Sequence, residues 1–288
     1  MSAQPTTAAR TTERLLLAIV FTAISAGIIT VFSPIRPMLS KSQDPVGRLG
    51  LIVALTAAVL WLRTQPRLAK YGELTLGLLI LAITVTVDYY VQVSLLDTLH
   101  VDGHSAKGYA IQKIVECATV VLVISGCTLA TGGTLGSIYL QRGRWKQGLA
   151  FGLAGFALMA GSSVLVSGLL FKAEALTWAR ISQWLPWMLA FVLANGVNEE
   201  LMFRGLFLRK LEPFFGRFVS NLLIALSFTA LHGGATYTSD MRIFLVVLVP
   251  LALAWGHIMQ RTDALWGSAL FHAGADIPIV LGIFSGLP

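Results

Sequence analysis

The chain has 288 residues, of which 56% are hydrophobic and only 12% charged, and it carries a net charge of +7. A soluble domain of ordinary composition has about 25% charged residues, so this composition excludes a water-facing globule and points to an all-α, polytopic membrane protein. The positive charges lie in short breaks between apolar runs, where they set orientation. No basic patch has a folded soluble domain behind it, so nucleic acid is not an expected partner.

Residues 1–14 are Ala/Thr-rich and polar, and a disordered tail is expected there. Arg10 and Arg14 precede an apolar run over 15–33. That run is longer than a signal-peptide core, so it predicts a retained first transmembrane helix. Further apolar runs fall near 49–62, 74–96, 109–130, 148–171, 185–208, 218–232, 243–259 and 264–287. A helical span needs about 20 residues, and the runs at 49–62 and 218–232 are short. The expectation is a bundle of eight or nine transmembrane helices. The alternation of a membrane-spanning barrel is absent.

With a cytoplasmic N-terminus, the inside loops hold Arg63/Arg67/Lys70, Arg142/Arg144/Lys146 and Arg209/Lys210/Arg217, the positive-inside pattern. The loop with Arg36, Lys41 and Arg48 dissents, and loss or re-orientation of one of the first two spans would remove the conflict. The stretch 135–147, with Tyr139 and Trp145, reads as an interfacial connector. Cys117 and Cys127 would lie about 15 Å apart on one helix, beyond disulfide reach.

The chemistry is concentrated in the last third. Three apolar runs carry polar groups at four-residue spacing, which shares a helix face: Glu199-Glu200-x-x-x-Arg204, Phe228-x-x-x-His232 and His272-x-x-x-Asp276. Charge at the bilayer centre costs about 2.5–3.5 kcal/mol per group, so these groups are expected to face one another or a wet cavity. Glu200 is placed to pair with Arg204, which leaves Glu199 without a local counter-charge and available as a general base. His232 ends its run before Gly233-Gly234. Asp276 is positioned to fix the tautomer of His272. A base, a proton shuttle and donors for an oxyanion are what a water-activating hydrolase needs. Taken singly, each pair reads as structural, and Phe228 alone reads as core. Lys113 and Glu116 read as a structural pair, Asp88 as an isolated polar residue, and His100, His104 and His257 as loop or packing residues.

The three motifs, in this order and in apolar context, resemble the type II CAAX-prenyl-endopeptidase-like intramembrane proteases, also called the CAAX protease and bacteriocin-processing family. The resemblance covers roughly 185–280, within a catalytic domain taken as 135–288. Residues 15–134 form an N-terminal transmembrane region outside it. It implies an intramembrane endopeptidase acting on membrane-tethered peptides or protein tails, in the plasma membrane of a prokaryote. Glu199 and His232 would activate water, while His272 and Asp276 would hold the oxyanion or orient the site. Glu200, Arg204 and Phe228 would support it. Where the family's third motif ends in Asn, an amide can donate to the oxyanion. Asp276 must instead carry a proton or serve mainly to orient His272. Glu199, His232 and His272 could also make a three-ligand zinc site with an open position, but there is no His-Glu-x-x-His helix and a metal-free mechanism is expected. The alternative class is a non-proteolytic membrane protein, such as a proton-coupled transporter or an immunity scaffold. A transporter would show paired broken-helix repeats, and none is visible.

One geometric difficulty stands. With straight helices ending at the run boundaries, Glu199 and His232 fall at different depths. Their meeting would require a re-entrant or strongly tilted helix near the Pro213/Gly216 break.

Overall fold

A computed structural model describes residues 7–32, 38–235, 238 and 240–287, and of residues 7–10 the backbone alone. Among the described residues the fold is all-helical, with eight helices long and apolar enough to cross a membrane. The helices are α1 (Thr7–Val31), α2 (Gln43–Thr64), α3 (Gly72–Thr98), α4 (Ala106–Ala130), α5 (Trp145–Leu170), α6 (Trp178–Glu199), α7 (Leu206–His232), α8 (Met241–Thr262) and α9 (Trp266–Ser285). A π-helical segment, Glu200–Gly205, joins α6 to α7, so 178–232 forms one continuous candidate span. The helix α1 begins at Thr7, inside the stretch expected to be a polar tail.

The long sixth span folds back on itself. Gly216 adopts φ 72° and ψ 171°, a conformation closed to side-chain-bearing residues, and it divides α7 into two arms. Counting those arms separately gives nine apolar segments, which accounts for both numbers expected from the sequence.

The ends of the helices sort onto two faces. One carries Lys70 paired with Glu13, Arg209 paired with Asp263, and Gln141 bonded to Asp263. Arg217 joins them through the Gln260 carbonyl. The opposite face carries the Lys172–Asp240 pair. All three basic loops of the positive-inside pattern therefore share a face. The dissenting loop is resolved differently from expectation, because α1 and α2 are both present. Arg48 is not a loop charge. It is buried in α2, pairs with Asp44 at 2.7 Å, and donates to the carbonyls of Phe32 (3.0 Å) and Val85 (3.1 Å). Arg36 lies outside the described residues.

The expected connector is a short 3-10 turn, Leu135–Ile138, ended by Tyr139 in the left-handed region. It docks on the α8–α9 turn: Leu265 N–H donates to the Tyr139 carbonyl (3.0 Å) and Arg144 N–H to that of Thr262 (2.7 Å). Burial pushes the Tyr139 phenol up, with Glu212 adding to the effect, so it stays neutral beneath the Arg209 guanidinium 4.3 Å from its ring. Cys117 and Cys127 are free thiols.

The innermost helix is α9, with 72% of its apolar window buried against 17% for α5. Close approach of backbones makes this possible. A Cβ on Gly152 of α5 would lie 2.8 Å from the Gly267 carbonyl oxygen of α9, and one on Gly196 of α6 would lie 2.4 Å from that of Ala269. Without a hydrophobic drive between helices in lipid, such small-residue contacts are what bring helices together. They seat α9, with His272 and Asp276, between α5 and α6.

Candidate active site

Glu199 ends α6 and Glu200 opens the π-helical segment. Single π-turns inside α-helices recur at functional sites because they re-aim consecutive side chains. Here they send the two carboxylates to different partners. Glu200 is completely buried and pairs with Arg204 at 2.5 Å. It also accepts from His272 Nδ1 at 2.9 Å and from the Ser268 hydroxyl. Arg204 donates onward to the Ala252 carbonyl at 3.1 Å. Its guanidinium lies 5.0 Å from the Phe228 ring centre and 5.4 Å from that of Trp255, where cation–π attraction compensates part of its lost hydration.

Glu199 remains partly accessible and faces both imidazoles. Its Oε2 lies 3.5 Å from His272 Nε2 and 4.0 Å from His232 Nε2. His232 Nδ1 sits 2.8 Å from the Phe228 carbonyl. A carbonyl can only accept, so Nδ1 carries the proton there and the lone pair of Nε2 faces Glu199. His272 commits its Nδ1–H to the Glu200 carboxylate, and its Nε2 faces the site.

This arrangement corrects the expected role of Asp276. Its Oδ1 lies 3.6 Å from His272 Nε2, too far for a hydrogen bond, and the ring is oriented by Glu200 instead. Asp276 is itself held by Asn195, whose Nδ2 donates to Oδ2 at 2.9 Å. Glu200 is thus more than a brace for Arg204, since it gathers three donors, one from its own π-helical segment and two from α9.

Aromatic packing fixes the imidazoles. Trp255 stacks on His272 with ring centres 3.9 Å apart and planes 6° from parallel. Phe228 lies edge-on to Trp255 and to His272, and 4.4 Å from His232. Phe228 is therefore the common floor of both imidazoles. A cavity of about 60 Å³ opens beside His232, His272 and Asp276, walled by Phe171, Phe244 and Leu248 among others. That volume holds water when polar groups line it.

The turn at Gly216 removes the depth difficulty. The first arm extends past residue 208 to the turn. Seventeen residues separate Glu199 from Gly216, and sixteen separate Gly216 from His232. At 1.5 Å per residue both arms are about 25 Å long, so the two side chains return to one level.

All seven motif residues expected from the sequence converge here. Sequence reasoning missed Asn195, Ser268 and Trp255. Asn195 and Ser268 each stand four residues before a motif residue, the spacing that identified the others. Trp255 carried no such signal. The sequence reading also missed that Glu116, taken as half of a structural pair with Lys113, accepts from Asn198 Nδ2 at 2.8 Å. His100 and His104 lie in the α3–α4 connection and His257 is exposed on α8.

Residues 181–278 match the family model of the type II CAAX prenyl endopeptidase Rce1-like proteins. No curated protein and no solved structure matches the chain. The Rce1-like segment contains all three motifs and spans α6 to most of α9, in agreement with the range the motifs delimit. Together with the eight apolar helices, the match supports an integral, multi-pass membrane protein with CAAX-type protease activity.

Proposed function

We propose that the chain is an intramembrane endopeptidase that cleaves membrane-tethered peptides or protein tails with a water activated by Glu199 and His232. The observation that carries this reading is the placing of Glu199 Oε2 against both Nε2 atoms. A water about 2.8 Å from each would bridge a carboxylate and an imidazole separated by 4.0 Å.

Glu199 takes one proton from that water as its oxygen bonds to the scissile carbonyl carbon. His232 Nε2, with its lone pair exposed, orients the water. The carbonyl oxygen becomes the oxyanion and accepts from His272 Nε2, which holds a second ring proton for this purpose while Nδ1–H stays on Glu200. The retained proton then passes to the leaving nitrogen as the C–N bond breaks. Three carboxyl groups face one guanidinium, so the imidazoles and Asp276 are the groups that can hold compensating protons. Preorganised donors of this kind are typically the largest single contribution to such catalysis. The apolar walls contributed by α5 and α8 suit a substrate presented from lipid, with the basic face on the cytoplasmic side of a prokaryotic plasma membrane.

Glu199 Oε2 and the Nε2 atoms of His272 and His232, 3.5 and 4.0 Å away, are also the donors that would hold a zinc ion if one were bound. The steps above use protein groups alone, and a zinc-dependent variant is an outcome of the chelator test described in the Discussion. The reading is tested by purified protein in nanodiscs acting on membrane-tethered peptides. General acid–base catalysis contributes about 10²–10⁴-fold. Glu199→Ala and His232→Ala should therefore each retain less than about a tenth of wild-type cleavage while remaining folded. Retention of more by either variant overturns the assignment.

A further inference from the structure

A hydrolase enclosed by helices consumes one water per turnover, and a series of polar residues that begins outside the Rce1-like segment reaches the residue next to Glu199. Polar residues descend α3 and α4 from the face opposite the basic one. Gln92 donates to the Gln112 carbonyl at 3.3 Å. Lys113, next to Gln112, pairs with Glu116 one turn deeper at 2.6 Å, and their side chains are 21% and 22% exposed. Asp88 lies beside Gln92 and within electrostatic range of both members of that pair. Glu116 then accepts from Asn198, the residue immediately before Glu199.

Two atoms of this series are buried without a protein partner, Asp88 Oδ1 and Asn198 Oδ1. An unsatisfied buried polar atom costs about 1–3 kcal/mol, and native structures satisfy such groups with ordered water where room allows. Partly exposed charges within a membrane-spanning helix are likewise costly against lipid and tolerable against water. Helix α4 packs on both α3 and α6, so its Lys113 and Glu116 stand between Asp88 of α3 and Asn198 of α6.

We propose that Asp88, Gln92, Lys113 and Glu116 line a hydrated track between α3, α4 and α6 that admits water from the outer face and ends at Asn198, beside Glu199. The proposal rests on Glu199 being the water-activating group, and it gives the helices preceding the Rce1-like segment a part in the reaction.

Cysteine accessibility in lipid nanodiscs tests the track without reference to cleavage. In a background where Cys117 and Cys127 are replaced by alanine, Gln92→Cys and Lys113→Cys are exposed to a charged, membrane-impermeant thiosulfonate. Leu122→Cys, on the lipid-facing side of α4 with Leu122 73% exposed, is the control. Only a hydrated thiol ionises and reacts, so the two track positions should modify about tenfold or more faster than the control. Equal rates at all three positions overturn the track. Should the variants fail to fold, hydroxyl-radical labelling of the wild-type protein gives the same comparison. Labelling concentrated at 88–92 and 112–116 supports the track, and labelling no greater there than at 118–126 overturns it. If the track positions react but Glu199→Ala still cleaves, the track stands and the catalytic reading falls.

Discussion

His272 gives its Nδ1–H to Glu200, 2.9 Å away, and not to Asp276, which lies 3.6 Å from the other ring nitrogen. The second glutamate of the pair thereby fixes the imidazole that the third motif contributes, and it joins α9 to the π-helical segment.

Arg204→Ala should destabilise the protein by far more than an exposed charge would. It strands Glu200 among buried groups, and breaking a buried pair costs about 3–5 kcal/mol. Thermal unfolding in detergent should show the loss. Glu200→Gln combined with Arg204→Met should recover much of it, since no unpaired charge is left. Equal stability of Arg204→Ala and wild type would refute the pairing.

Asp276→Asn should keep substantial cleavage activity. The amide can still accept from Asn195 through its oxygen and can present an N–H toward the oxyanion. Asp276→Leu, which can do neither, should be impaired by at least about tenfold, in the range of a lost oxyanion donor. Assays with and without a zinc chelator separate the mechanisms. Chelator-resistant activity in both wild type and Asp276→Asn is expected. Stoichiometric zinc, with activity lost to chelator and restored by the metal, would replace the metal-free scheme.

Phe228→Ala should cost about 3–5 kcal/mol through the cavity it leaves and should also depress kcat. One ring supports His232, His272 and the Arg204 guanidinium together. Phe228→Leu should restore more stability than activity, because it refills volume without restoring the flat edge. Paired measurements of melting temperature and kcat check the separation.

Gly216→Ala should lose about 1–3 kcal/mol from backbone strain, although a methyl group there meets no neighbouring atom. Any loss is therefore conformational and not steric. Cleavage should fall more than stability, since His232 is carried at the end of the arm that the turn aims. Unaltered kcat in a folded Gly216→Ala protein would show that the turn does not set the register.

The motif residues were legible because charge is expensive in a membrane and the four-residue spacing is local. Asn195 and Ser268 obey the same spacing and could have been found by extending the rule one turn toward the N-terminus of each motif. Trp255 could not, since an aromatic residue on an apolar helix looks the same whether it faces lipid or an imidazole. The bond from Asn198 to Glu116 depends on α4 lying against α6, a fact of tertiary packing that no local pattern encodes. Arg48 misled for the opposite reason. A cation near a helix start counts toward topology in the sequence, whereas its carboxylate and carbonyl partners remove it from that count in the fold.

The near-equal arms about Gly216 make catalytic alignment a matter of residue count. One residue inserted into either arm would turn His232 by about 100° and slide it 1.5 Å along the axis, so single insertions or deletions between 206 and 231 should be as damaging as losing the imidazole. Removal of a whole turn from each arm together would keep both side chains facing and move the reaction plane about 5 Å along the bilayer normal. The distance from the membrane surface at which a substrate is cut is thus encoded in the length of one hairpin, separately from the residues that cut it.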